Sequence, residues 1–160
     1  RALAAKGVTV AIPVMPLELA VLGANRASEV RTNLERNGLS VKRFVVGGHS
    51  LGGAMAARFA SSHAVDGLVL MGAYSVDDLS AKSFAVLNLA AEHDGVAQMG
   101  AVRGGLSKLP AGTELIVIPG GVHSFFGRYG AQDGDGSPTT TRETFERELI
   151  GRLEAFLAGS

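Results

Sequence analysis

Gly47-Gly48-His49-Ser50-Leu51-Gly52-Gly53 stands directly after a short apolar run, Val41 to Val46, and directly before a small-residue segment, Ala54-Met55-Ala56-Ala57. A run of strand length, a glycine-rich turn and a helix-forming segment, in that order, make a strand–turn–helix unit. Gly48-x-Ser50-x-Gly52 matches G-x-S-x-G, in which a serine sits on a sharp, strained turn with its hydroxyl above the sheet. On this reading, side chains at Gly48 and Gly52 would collide with neighbouring backbone, so both positions need a very small residue. The N-terminus of the following helix adds partial positive charge, and Leu51 N–H is the candidate oxyanion-hole donor. The pentapeptide alone arises readily by chance. A purely structural tight turn and a phosphate cradle compete with the nucleophile reading. The cradle is weakened because no P-loop lysine follows and because Gly47, Gly48, Gly52 and Gly53 do not fit G-x-G-x-x-G.

Working outward, four more apolar runs have strand length: Val8 to Val14, Val65 to Met71, Phe84 to Ala90 and Glu114 to Ile118. They are rich in Val, Leu and Ile and mostly do not alternate, as expected of strands buried on both faces. Helix-like segments lie between them. Leu19, Leu22, Val30 and Leu34 approach helical spacing, closed by Asn37-Gly38; Val96, Met99 and Val102 mark another helix. Thr140 and Glu143 read as a capping box for a last helix with a stripe of Phe145, Leu149, Leu153, Phe156 and Leu157. Strands alternating with helices predict an α/β fold with a parallel sheet, in one domain over residues 1–160. No internal repeat or linker interrupts it. The opening, Arg1 to Gly7, reads as the end of a helix with a glycine cap, so the expectation is a chain truncated at its N-terminus.

Composition narrows the function. The 160 residues carry 15 basic and 15 acidic side chains, so no global field draws in a phosphate backbone, and nucleic acid is not the expected partner. No apolar stretch approaches the ~18 residues of a membrane span. The absence of cysteine excludes disulfides, thiolate zinc sites and a cysteine nucleophile.

Ligands of such sheets bind at the C-terminal ends of the strands. A serine there needs a base, and the base needs an orienting group. Asp94 follows the fourth run and His123 the fifth, giving the chain order Ser50, Asp94, His123. Asp77 and Asp78, after the third run, compete for the acid's role, and one of them is expected to cap a short helix. His49 would point away from the site if Ser50 points into it. His63 falls at the opposite edge, and His93 reads as solvated. Asp133 and Asp135 read as a glycine-rich surface loop; half of a calcium loop is present, without its remaining ligands.

These residues together resemble the α/β-hydrolase superfamily over essentially the whole chain. The likeness is greatest to small, lidless bacterial α/β hydrolases whose segment after the histidine reads HxxFGxYGxQxGDG. Here that segment runs from His123-Ser124-Phe125-Phe126-Gly127-Arg128-Tyr129 to Gly130-Ala131-Gln132-Asp133-Gly134-Asp135-Gly136. The resemblance implies the α/β-hydrolase fold, with Ser50 as nucleophile, Asp94 as acid and His123 as base. It implies a substrate-facing loop at Ile12 to Leu17, and Met15 and Pro16, with His49, are the candidate substrate-binding residues. It also implies sheet strands and a second oxyanion donor upstream of Arg1, and thus weak activity from these residues alone. The expected activity is serine hydrolysis of a small-molecule carboxylic ester or related acyl bond through an acyl-enzyme, with no metal or organic cofactor, at an open site. The alternative is a hydrolase-fold binding or scaffold protein with little or no turnover.

Overall fold

Strands form here where an apolar run can be covered on both faces. A computed structural model describes residues 2–14 and 26–159. Four runs become β1 (Val45–His49), β2 (Gly67–Met71), β3 (Ala85–Ala91) and β4 (Leu115–Ile118), in one parallel sheet of order β1-β2-β3-β4. The helices are α1 (Ala2–Ala5), α2 (Arg26–Arg36), α3 (Leu51–Ser62), α4 (Met99–Gly104) and α5 (Arg142–Ala158). Among the described residues no helix is long and apolar enough to cross a membrane.

Successive side chains of a strand point to opposite faces, and β2 shows the result. Leu68 and Leu70 pack with Ala57, Phe59 and Ala60 of α3, while Val69 packs with Leu87, Leu89, Ile118 and with Phe145 and Leu149 of α5. The sheet thus has a core on each side, and its C-terminal edge carries the loops of interest.

The structure corrects several expectations. β1 begins at Val45 rather than Val41, because the residues before it are otherwise engaged. The Arg43 guanidinium donates to the carbonyls of Leu157 (2.7 Å) and Phe156 (3.2 Å) at the end of α5, and Phe44 N–H donates to Asp66 Oδ2 (2.7 Å). Val8 to Val14 is not a strand. It pairs with no other strand among the described residues, and Ile12 and Val14 are 88% and 85% exposed. α2 ends at Asn37-Gly38 as expected, with Gly38 at φ 81° and Leu39 N–H donating to Leu34 O (3.1 Å). Its predicted earlier residues, Leu19 and Leu22, lie outside the described residues. No short helix follows β2. Asp78 instead holds a turn by accepting from Ser80 N–H (2.9 Å).

The last helix starts one residue later than the capping box predicts. Thr141, not Thr140, is the N-cap, and its Oγ1 accepts from Thr144 N–H at 3.2 Å. Glu143 then sits one position short of the capping-box place. Thr141→Ala should therefore cost about 1 kcal/mol in urea unfolding, with Thr140→Ala near neutral; the reverse ranking would return the cap to Thr140.

Candidate active site

Ser50 joins β1 to α3 at φ 54°, ψ −126°, and it is the only non-glycine residue with positive φ among the described residues. Such a conformation costs about 1–3 kcal/mol and persists only where its surroundings over-determine it. Here Ser50 N–H donates to Met71 O (2.9 Å), while Ser50 O accepts from Gly53 N–H (3.0 Å) and Ala54 N–H (3.2 Å). The turn is so tight that a Cβ on Gly48 would overlap the backbone of Gly52 and Gly53. The expected constraint at Gly52 is absent, since a Cβ there meets nothing within 4 Å. It falls on Gly53 instead, whose Cβ would lie 2.6 Å from Ala73 Cβ and 2.8 Å from Gly48 O. Leu51 occupies the first helical position, where N–H groups have no intrahelical acceptor and the helix dipole is positive.

Asp94 and His123 are brought together. His123 Nδ1 and Asp94 Oδ2 are 2.7 Å apart, and their side chains are 0% and 1% exposed. Asp94 Oδ1 accepts from Val96 N–H (2.9 Å) and Ala97 N–H (2.7 Å), so the carboxylate is held at both oxygens. A carboxylate only accepts, so Nδ1 carries the hydrogen and Nε2 of the neutral ring is the acceptor. Nε2 is buried and has no hydrogen-bond partner. Asp77 and Asp78 hold no part of this ring.

The serine lies beside the pair without closing a hydrogen bond to it. Gly72, which follows the Met71 carbonyl that holds Ser50, is so near that a Cβ on it would stand 3.0 Å from His123 Nδ1 and 3.1 Å from Asp94 Oδ2. His49, immediately before Ser50, has its ring 4.3 Å from that of His123. His49 therefore does not point away from the site. It also packs against Phe126 (5.6 Å) and stacks on Tyr129 (5.8 Å, 21°), with its Nε2 buried and unpartnered. Burial first, then electrostatic coupling to the adjacent His123, lower its pKa from 6.5 to about 4, against the opposing pull of Asp94 and Asp135.

The segment after His123 is a cradle rather than a loose surface loop. His123–Phe126 is one 3-10 turn. Asp135 accepts from the N–H groups at its start, His123 (2.9 Å) and Ser124 (2.8 Å). The Arg142 guanidinium donates to carbonyls at its end, Gly127 (2.6 Å) and Ser124 (3.2 Å), and lies over the Phe125 ring. A Cβ on Gly127 would overlap the Tyr129 ring, so glycine there leaves room for Tyr129 to reach His49. Local sequence pattern points to neither the clamp by Asp135 nor that by Arg142; the spacing of the GDG motif from the histidine is the only sequence signal for the first. Among the described residues no cluster of three or more metal-ligating side chains occurs, and Asp135 spends its lone pairs on N–H groups rather than on a cation.

The other histidines are satisfied where they stand. His63 stacks on Phe59 (4.0 Å) and bonds Ser62 Oγ and Phe59 O; His93 bonds Thr139 Oγ1 (3.2 Å). Met15 and Pro16 lie outside the described residues.

A parallel sheet with a helix on each face, a strained serine turn and a buried carboxylate–imidazole pair at one edge together narrow the fold families. The model of the alpha/beta hydrolase family matches residues 1–147. This chain belongs to the alpha/beta hydrolase family. Membership supports a hydrolase-type enzyme built on this fold. No curated protein matches the chain.

Two predictions come from the geometry of the serine turn. Gly48→Ala should cost about 3 kcal/mol or more, through steric overlap with fixed backbone. Gly52→Ala should be neutral or stabilising by up to about 1 kcal/mol, since alanine favours the helix. Urea unfolding of both variants reads this, and equal costs would contradict the crowding described.

His49 should make stability depend on pH. Above pH 6.5 its ring is neutral in both folded and unfolded chains. Between 6.5 and about 4 only the unfolded chain takes up the proton, so stability falls as pH falls. A full shift of this size bounds the loss at about 3 kcal/mol, and the partial exposure of the ring reduces it. His49→Gln should flatten the decline of melting temperature over that interval; an unchanged slope would remove His49 as its source.

Proposed function

We propose that this chain is a serine hydrolase acting on carboxylic esters or a related acyl bond, with Ser50 as nucleophile, His123 as general base and acid, and Asp94 as the group that orients His123. The observation that carries this is the state of the imidazole: one nitrogen satisfied by a buried carboxylate, the other buried without a partner, beside a strained serine turn. A buried polar atom left unpaired costs about 1–3 kcal/mol, and such atoms collect at functional sites.

The chemistry is written with side chains of this chain. Ser50 Oγ attacks the substrate carbonyl carbon as its proton passes to His123 Nε2. Asp94 keeps Nδ1 protonated and offsets the imidazolium charge. The carbonyl oxygen becomes an oxyanion, for which Leu51 N–H at the start of α3 is the donor. The alkoxide leaves with the proton from Nε2, forming an acyl-enzyme on Ser50. Water, deprotonated by the same nitrogen, releases the acid and restores the serine. These steps call for no metal or organic cofactor.

Exposed apolar side chains at this edge, Leu51 at the start of α3 and Tyr74, Val76 and Tyr129 on loops, favour neutral esters with apolar groups at an open site. Lys108 and Arg128 are engaged with Val76 O and Glu146, which leaves neither cation free to recognise an anionic acyl group. A second reading, a binding protein on a hydrolase fold, draws on the missing hydrogen bond between Ser50 and His123. Catalytic hydrogen bonds often tighten only when substrate is bound, so the geometry is compatible with turnover.

Ser50→Ala keeps the Cβ and with it the backbone strain, so the melting temperature should stay within a few degrees of wild type, while ester hydrolysis falls by orders of magnitude. A fluorophosphonate probe should label the wild type at Ser50 and leave the variant unlabelled. Wild-type protein that neither turns over esters nor takes the label would favour the binding reading.

A further inference from the structure

A single 3-10 turn cannot satisfy its own first N–H groups. His123–Phe126 is such a turn, and Asp135 meets the need from outside it. Oδ1 accepts from His123 N–H (2.9 Å) and Oδ2 from Ser124 N–H (2.8 Å). Oδ1 also accepts from Gly136 N–H (2.9 Å) and, at longer range, from Gly95 N–H (3.4 Å). Gly95 directly follows Asp94, and its backbone lies flat against Gly134 to Gly136. One carboxylate therefore touches the backbone of the histidine and that of the residue after its acidic partner.

We propose that Asp135 is a positioning residue for proton transfer, fixing the His123 backbone and the Asp94 loop in the one relation that aligns Nδ1–H with Asp94 and leaves Nε2 free for Ser50. This rests on the triad reading above. Two adjacent N–H groups, each at hydrogen-bond length, need two acceptor oxygens on a short stem. Asparagine has one acceptor and would present its amide hydrogens to the second N–H, and glutamate adds a methylene. The ionised form is the one needed. Burial works against it, but the N–H groups of Ser124, His123 and Gly136 outweigh burial and hold the carboxyl below its usual range. The titratable groups whose charges meet here are His123, Asp94, His49 and Tyr129, with Arg142 at the far end of the turn.

The test compares Asp135→Asn with wild type, with Asp133→Asn as control and Ser50→Ala as the check on the triad. Fluorophosphonate labelling counts active sites, so kcat is expressed per labelled serine. Asp135→Asn should lower kcat about 10–100-fold with KM within about threefold, because a small misplacement of the base is felt in the transition state. The acid limb of its kcat/KM profile should also move to lower pH, since a negative charge close to the histidines at this edge is gone. Asp133→Asn, exposed and outside this network, should match wild type. A purely structural role would cut the labelled fraction and leave kcat per site and the pH profile unchanged, which would overturn the proposal while an inactive Ser50→Ala kept the triad. Turnover surviving in Ser50→Ala would sink the triad and this proposal together. Should Asp135→Asn unfold, wild-type NMR decides. The amide resonances of His123 and Ser124 and the Nδ1–H resonance should move together as the protein is acidified through the titration of Asp135; amides that stay still would overturn it.

Discussion

A carboxylate and an imidazole sealed from water at 2.7 Å make demands on everything near them. Burying either group alone costs several kcal/mol, and the pair is tolerable only if its remaining hydrogen-bonding capacity is met with good geometry. The sheet answers by extending its ladder past the strand ends. Ala91 pairs with Ile118 in the last register step, and beyond it Glu92 N–H reaches Ile118 O (3.1 Å) and His93 N–H reaches Gly121 O (2.8 Å). Glu92 Oε2 also accepts from Gly120 N–H at 2.7 Å. The loops carrying Asp94 and His123 are thus zipped together almost to the pair itself.

The same extension holds the serine. Ser50 N–H bonds Met71 O beyond β1, and Gly72 N–H bonds Leu89 O (2.8 Å) beyond β2. Ser50, Gly72, Asp94 and His123 then stand on neighbouring strand ends as consequences of one register, with β2 buried on both faces at its centre. The positive φ of Ser50 is offset by these bonds and by the close approach of Gly48 to Gly52 and Gly53. Site and core are therefore one piece of construction. α2, which has no buried residue, and the exposed Val8 to Val14 segment contribute little to it.

Most of the strand pattern was legible because it depends on local composition. Val65 to Met71, Phe84 to Ala90 and Glu114 to Ile118 each lie within two residues of an observed strand. The misses arose where a distant partner decides the outcome. Arg43 is drawn to the end of α5 and shortens β1; Val8 to Val14 has strand composition but no neighbouring strand among the described residues; the N–H groups of Thr139 and Thr140 are held by the distant Gly120 O, and Thr141 is the cap instead. At the candidate site, chain order and strand ends sufficed to bring Asp94 to His123. His49 keeps the alternation of β1, on the face of Val45, but sequence could not reveal that Phe126, Tyr129 and His123 come to meet it there. Nor could it show that crowding falls on Gly53 rather than Gly52, which depends on Ala73 across the turn.

The segment after His123 shows why composition misleads there. Gly and Asp are loop residues by propensity, and their density in this segment predicts a solvated loop. Hydrogen-bond accounting predicts otherwise. Two N–H groups of a buried turn need acceptors, two carbonyls toward its end need donors, and buried backbone polar groups are nearly always paired. Asp135 answers the first need and Arg142 the second, while Phe126 fills the space against Phe145 at 5.0 Å and Tyr129 covers His49. Loop-like residues are suited to these tasks because they place acceptors and sharp turns close to backbone. A short turn gripped by a carboxylate at its N–H end and a guanidinium at its carbonyl end is stiffer than its secondary structure implies, and that stiffness is delivered to His123, whose Nε2 is buried and unpartnered.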